Sequence, residues 1–367
     1  MPGTHMQLTH LWMHDFRSYV EAELVPATEG LTVVVGPNGA GKTNLLEAVG
    51  YLSTLRSFRG APSDALVRSG AGQAVVRAEG RRQGHQLLVE AEIRRAGRDR
   101  AQVNRQPLRR AQDLLGALQV TVFTPDDLAL VKGGPQDRRD YLDDLLVALH
   151  PRHQANRAEV ERVLRQRGAL LRQAQGQSRP APPLLSTLDV WDAKLAAAGE
   201  ALVRAREGLV TALGPPAGEA YRRLAHRRPA GNSLALRYWR SWTGPLADAL
   251  ARARGDDLRR GVTTTGPHRD DVVVEVAGLP ARTQASQGEQ RSAALALRLA
   301  GHDVVGNRLG SAPVLLLDDV FSELDGDRAA ALVALLPAGQ AILTTAGTLP
   351  AGAEAAATVR VGDGRIV

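Results

Sequence analysis

Cysteine is absent from all 367 residues. That absence excludes disulfides, Cys-ligated zinc and thiol nucleophiles, and it suits a reducing compartment. Aromatic residues make up only 4% of the chain, so a core has to be built from aliphatic side chains. Lysine occurs only at Lys42, Lys132 and Lys194, arginine serving almost everywhere else that a cation stands. Long apolar runs are missing too. Val314–Leu317 is typical of the longest, far short of the roughly 20 residues that a membrane helix needs. Met1–Asp15 shows no basic segment followed by an apolar one, so no secretory leader is expected. These absences lead us to expect a soluble, cytoplasmic protein with no membrane partner.

Positive charge is present in excess, and unevenly. The net charge is +7, yet residues 151–265 hold 20 basic and 10 acidic side chains, so the rest of the chain is slightly negative. A basic stretch of this kind is the electrostatic footprint of a nucleic-acid binder. A coding preference for arginine explains arginine over lysine, but not basic over acidic.

The periodicity of apolar residues changes along the chain. Leu8–Phe16, Leu31–Val35, Val75–Glu79, Gln86–Ile93 and Val120–Phe123 read as strands, with a helix from Lys42 to about Leu55. From Asp126 the spacing is helical, over Gln136–Leu149, Arg152–Gln175, Thr187–Leu213 and Pro245–Arg260. Breaks are expected at the proline-rich Arg179–Pro183 and at Gly214–Pro216. Leu234–Trp239, Val272–Val276 and the fully apolar Val314–Leu317 read as strands, the last suited to a buried parallel sheet. The expected architecture is an α/β domain split in sequence, residues 1–125 and 262–367, with a mainly helical, Arg-rich domain inserted at 126–261.

Four motifs carry chemistry. Gly36-Pro37-Asn38-Gly39-Ala40-Gly41-Lys42-Thr43 fits the phosphate-binding pattern G-x-x-x-x-G-K-[ST], with a strand before it and a helix after it. Glycines let successive N–H groups turn toward a phosphate at a helix N-terminus. Lys42 is expected to reach the β- and γ-phosphates of ATP, and Thr43 to ligate Mg²⁺. Val314–Leu317 runs into Asp318 and Asp319 in the Walker B form. Asp318 is the expected second anchor for Mg²⁺, and Asp319 the residue that orients or deprotonates the attacking water. Upstream, Ser286-Gln287-Gly288-Glu289-Gln290 fits S-x-G-x-Q, in which Ser286, Gly288 and Gln290 are expected to meet a nucleotide. Ser322–Asp325 occupies the D-loop position. In this order the four define an ABC-type ATPase. The alternative within that class is the nucleotide-binding subunit of a transporter. Ala285 in place of the usual leucine, the lack of a switch histidine and the Arg-rich insertion speak against it.

The chain resembles the RecF family of bacterial recombination-repair ATPases. The resemblance rests on Pro125–Asp143, with Gly133, Pro135, Arg138, Arg139, Tyr141 and Asp143 in pattern; on Leu316–Asp325 with Arg328 behind it; and on the turn Gly266-Pro267-His268-Arg269-Asp270-Asp271. It implies an SMC-like head without long coiled-coil arms. It also implies an ATP-dependent homodimer, in which Ser286 of one copy meets the γ-phosphate held by Lys42 of the other. The expected partners are duplex DNA near single-strand gaps, with RecR and RecO, and RecA as the protein loaded. Asp319 stands where transporters carry glutamate, one methylene longer, which implies slow hydrolysis. The switch position offers the hydroxyl of Thr344 or Thr345, and no Q-loop glutamine is evident, Gln119 being too early in its strand.

Several side chains read two ways. Arg138 and Arg139 are salt-bridged surface or part of the family's site. Arg56 and Arg59 are a DNA-sensing loop or ordinary surface charge. His268 is a base or a backbone-bonded turn residue, and Trp239 and Trp242 stack on bases or fill the helical core.

Overall fold

The computed structural model describes residues 5–175, 177, 181–225 and 233–367. Met1–Thr4, Arg179 and Pro180 of the expected break, and Arg227 and Arg228 of the basic stretch lie outside them. At the centre is a six-stranded sheet whose order across the sheet is Arg365–Ile366, Ala355–Gly362, Gly30–Val35, Gln340–Thr345, Val314–Asp318 and Val120–Phe123. All neighbours pair in parallel except the edge hairpin 355–366. Strands of a parallel sheet are covered on both faces, which is why Val314–Asp318 is apolar until its last residue and wholly buried.

The alternation along those strands divides two cores. Leu315, Leu317, Ala341 and Leu343 enter one, and Val314, Leu316 and Ile342 the other. The second core is closed by the helix Lys42–Thr54 and by an antiparallel sheet that includes Tyr19–Leu24, Gln7–Phe16, Gln73–Arg82 and His85–Arg94. The first is filled by the helices Pro135–Leu149, Arg152–Ala174, Pro182–Leu224, Leu246–Arg260 and Gln287–Leu309. A three-stranded sheet joins Leu234–Trp239 to Asp271–Val276 and Leu279–Pro280, so hydrogen bonds cross between residues on either side of position 262.

One expected break is not a break. Pro215 and Pro216 lie inside the continuous helix Pro182–Leu224. A helix-interior proline removes a hydrogen bond and costs about 3 kcal/mol. Leu209, Val210 and Leu213 before the pair, and Ala217, Ala220 and Tyr221 after it, are all buried in one core. Burial on both sides of the pair outweighs the local preference, as tertiary packing commonly does.

Candidate nucleotide site

The strand Gly30–Val35 delivers the chain into Gly36–Gly41, and the helix starts at Lys42. Gly36 touches the neighbouring strand Ala355–Gly362 so closely that a Cβ there would lie 2.3 Å from the Val361 carbonyl oxygen. Gly41 has φ +108°, a backbone shape closed to most side chains, and its carbonyl accepts from the Tyr19 hydroxyl at 3.0 Å. Burial pushes the Tyr19 phenol up to about 12, so it stays a neutral donor. Lys42 is buried, with Nζ donating to the Gly36 and Pro37 carbonyls at 2.7 and 2.9 Å. The ammonium is thereby held across the loop.

Thr43, Asp318 and Thr344 meet. The Thr43 hydroxyl donates to Asp318 Oδ1 at 2.9 Å, and the Thr344 hydroxyl donates to the same oxygen at 2.7 Å. Burial raises the Asp318 carboxyl, with a further push from Asp319; the two hydroxyls and the positive charge of Arg59 work the other way. Asp319 sits at φ +49°, in the left-handed region, and is fixed there by its N–H, which donates to the carbonyl and the hydroxyl oxygen of Thr344 at 3.2 and 3.1 Å. Thr345 faces elsewhere, its hydroxyl oxygen accepting from the Gly347 N–H at 3.0 Å. Hydroxyl and carboxylate oxygens are the donors Mg²⁺ takes, and a glycine loop ending at a helix N-terminus is a phosphate cradle. The residues therefore fit both groups.

The signature residues behave differently from one another. Ser286 caps the helix Gln287–Leu309 through a reciprocal pair with Glu289. Gly288 lies beneath the Arg328 guanidinium, so closely that a Cβ would be 2.5 Å from Nη2. Arg328 also reaches Ser292 and pairs with Asp325, while Arg291 binds the Glu323 carbonyl at 2.7 Å. These contacts tie the D-loop to the signature turn. Gln290 is buried and donates to the Ala281 and Arg282 carbonyls at 3.0 and 3.1 Å. In this structure its amide holds the turn before the helix rather than facing solvent.

Of the two readings of Arg138 and Arg139, salt-bridged surface fails on burial, and Arg139 bonds a backbone carbonyl and the Gln136 amide rather than a carboxylate. Both are buried. Arg138 holds Asp271 through two bonds of 2.7 and 2.9 Å, and Arg139 donates to the Asp270 carbonyl at 2.6 Å. Arg206 joins the same network, bidentate on Asp143 at 2.8 Å and bonded to the Pro267 carbonyl. The segment Pro125–Asp143 and the turn Gly266–Asp271 are thus stapled together. His268 has Nε2 at 3.0 Å from the Thr263 carbonyl, and burial lowers its pKa to about 4, the backbone-bonded reading of that turn. Trp242 is buried, whereas Trp239 is 47% exposed.

One contributor escaped the motif search. Glu47, on the P-loop helix, is fully buried and binds Arg17 through two bonds of 2.7 Å, and it also accepts from the Ser57 hydroxyl. Arg59 approaches Asn44, beside Thr43. A buried glutamate in a P-loop helix is a signal of such a staple, because an unpaired one would be prohibitively costly.

Parallel sheet, P-loop, Walker B pair and capped signature helix define an ABC-type ATPase head of the SMC kind. The matching family model describes the RecF/RecN/SMC N-terminal domain and spans residues 7–350. The DNA replication and repair protein RecF of Streptomyces avermitilis is 46% identical and covers 93% of both chains; that of Nocardioides sp. is 42% identical over 99% of both. The chain belongs to the RecF family. The solved recombination mediator protein RecF-ATP of the RecFOR pathway superposes with a TM-score of 0.89 at 27% identity, covering 100% of this chain and 98% of that one. The Smc head of Pyrococcus furiosus shares the fold, with a TM-score of 0.56 at 16% identity over 99% and 96% of the two chains. Among the described residues no helix is long and apolar enough to cross a membrane.

Proposed function

We propose that this protein is an ATP-dependent DNA clamp of recombinational repair, which closes as a homodimer around ATP on duplex DNA near single-strand gaps. The observation that carries the reading is the Thr43–Asp318 contact of 2.9 Å, which joins the phosphate loop to the Walker B strand across a buried sheet. The names of its relatives, DNA replication and repair proteins, support the DNA part. The RecFOR pathway of the solved relative supports RecR and RecO as partners; RecA as the protein loaded rests on the family resemblance alone. In this reading residues 1–125 and 262–367 act as the head, and 126–261 as its insertion.

Mg-ATP, when bound, supplies the phosphoryl group and neutralises its charge. Gly36–Gly41 present backbone N–H groups to the phosphates, Lys42 provides the cation, and Thr43 and Asp318 hold Mg²⁺. Asp319 orients water and takes its proton; its backbone, fixed by Thr344, and its short side chain set it back, so turnover is slow. Ser286 and Gly288 of the second copy complete the site, with Gln290 holding their turn in shape. A kcat above about 10 s⁻¹, near the enzyme median, contradicts this switch-like role.

The test is the mass of the protein in solution with and without Mg-ATP. Wild type becomes a dimer with ATP, Asp319→Asn stays dimeric, and Lys42→Arg and Ser286→Arg remain monomers. A mass that never responds to nucleotide refutes the clamp while leaving nucleotide binding standing.

A further inference from the structure

Arginine is abundant in the middle of the chain, but there much of its charge is already spoken for. Arg157 binds Asp140 and Asp144, Arg167 binds Asp192 and Asp257, Arg206 binds Asp143, and Arg254 binds Asp189 and Asp192. A guanidinium in such a pair projects little field beyond its carboxylate. The open edge of the antiparallel sheet differs. Residues 94–110 contain seven arginines and a single acid, Asp99. Arg95, Arg98, Arg100, Arg105, Arg109 and Arg110 are all exposed.

Strand pairing brings together the segments that carry four of these. Arg100–Val103 pairs antiparallel with Gln106–Pro107, Gln102 lying opposite Pro107 and Val103 opposite Gln106. The Leu108 N–H then donates to the Ala101 carbonyl at 2.9 Å, so Leu108 lies beside Ala101 and the next residues, Arg109 and Arg110, leave from the end of the strand that carries Arg100, with Arg98 just before it. Arg95 spends its donors on the neutral carbonyls of Val67, Arg68 and Ala71, so its charge is uncompensated there. Nearby carboxylates are engaged: Glu92 with Arg94, Glu90 with Gln102 and Arg77, and Asp113 with the Arg110 N–H. Asp99 is hydrogen-bonded to the buried Tyr51 hydroxyl, whose phenol is pushed up first by burial and then by Asp99, and this contact fastens the edge to the last turns of the P-loop helix.

We propose that this arginine edge, around Arg98, Arg100, Arg109 and Arg110, is the surface that grips the phosphate backbone of duplex DNA. Exposed guanidinium forks along a sheet edge match phosphate oxygens in charge and geometry and read no base sequence. The proposal rests on the DNA-clamp reading above and locates its contact surface on the head, away from the basic insertion.

The experiment measures binding of a fluorescent duplex by the full chain with Mg-ATP between 50 and 200 mM salt. The variants are Arg98→Glu/Arg100→Glu/Arg109→Glu/Arg110→Glu, the same four changed to Lys, and Arg165→Glu/Arg172→Glu/Arg260→Glu in the insertion. The first loses at least 10-fold in affinity, and its salt slope falls by about 3 to 4 if each arginine meets one phosphate. The lysine variant stays within about 3-fold of wild type, the insertion variant likewise, and all retain ATP binding and melting temperature. If the four-Glu variant keeps wild-type affinity and slope while the insertion variant loses both, the edge is overturned and the DNA reading survives. If wild type binds no duplex at 50 mM salt, the DNA reading itself falls.

Discussion

Thr344 holds both aspartates of the Walker B pair: its hydroxyl donates to Asp318 Oδ1 at 2.7 Å, while its own oxygens accept the N–H of Asp319. The strand Gln340–Thr345 lies parallel and next to Val314–Asp318, with Asp318 opposite Thr344. One side chain therefore sets the carboxylate proposed to hold Mg²⁺ and the left-handed backbone of the residue after it. A non-glycine residue in that region stores about 1–3 kcal/mol of strain and persists only where neighbours enforce it.

Thr344→Val keeps the shape of this residue and removes the hydroxyl. Asp318 loses one of its two hydroxyl partners, and Asp319 loses a bond that fixes its aim. ATP binding stays within about 3-fold, since the P-loop is untouched. Single-turnover hydrolysis falls roughly 100-fold, the usual penalty for a displacement near 1 Å. Hydrolysis at the wild-type rate would deny Thr344 this positioning role.

Asp318→Asn separates stability from function. The folded Asp318 carboxyl lies above its usual value, chiefly through burial. From the unfolded value near 3.9 upward through that raised value, the folded state binds more protons, so stability falls as pH rises. At neutral pH the buried ionised form is therefore a standing cost. The neutral amide removes it, and the expected result is a melting temperature about 1–2 °C higher without nucleotide, together with loss of Mg²⁺-dependent ATP turnover. A lower melting temperature at pH 7 contradicts the charge argument.

Much of the site was legible because its signals are local. A run of buried aliphatics ending in Asp318 and Asp319, and a glycine loop between a strand and a helix, each follow from neighbours in sequence. What stayed hidden is pairing over distance. Charge counted along the chain cannot reveal that Arg206 meets Asp143, 63 residues away, or that Arg138 meets Asp271 across 133. That is why the basic stretch and the arginine pair both looked more exposed than they are. Pro215 and Pro216 misled for the opposite reason, a strong local preference overridden by burial on either side.

Breaking the staple between the two family segments should be severe. Arg138 is 5% exposed, and Asp271→Ala would leave it buried and unpaired apart from backbone carbonyls. The expected loss is about 3–5 kcal/mol, read by denaturant unfolding. Arg138→Met/Asp271→Leu is expected to recover more than half of it, since packing replaces two charges together. Equal losses in the single and double variants would show that the pair contributes through geometry that no apolar replacement restores.

The acid limit of stability should trace to a buried histidine. His302 is 2% exposed, with Nδ1 at 3.1 Å from the Thr121 hydroxyl, and burial, reinforced by His5, lowers its pKa to about 4. Its unfolded value is near 6.5. Between these the unfolded chain binds the proton more readily, so stability is full above about pH 6.5 and drains away as pH falls toward 4. By pH 5 the loss is about 2 kcal/mol. His302→Gln lacks the titration, so its melting temperature should fall less than that of wild type between pH 7 and pH 5. His268, also lowered to about 4, continues to act in both proteins, which leaves a residual slope. If the two proteins lose stability in parallel over that interval, His302 is not the group that charges on acid unfolding.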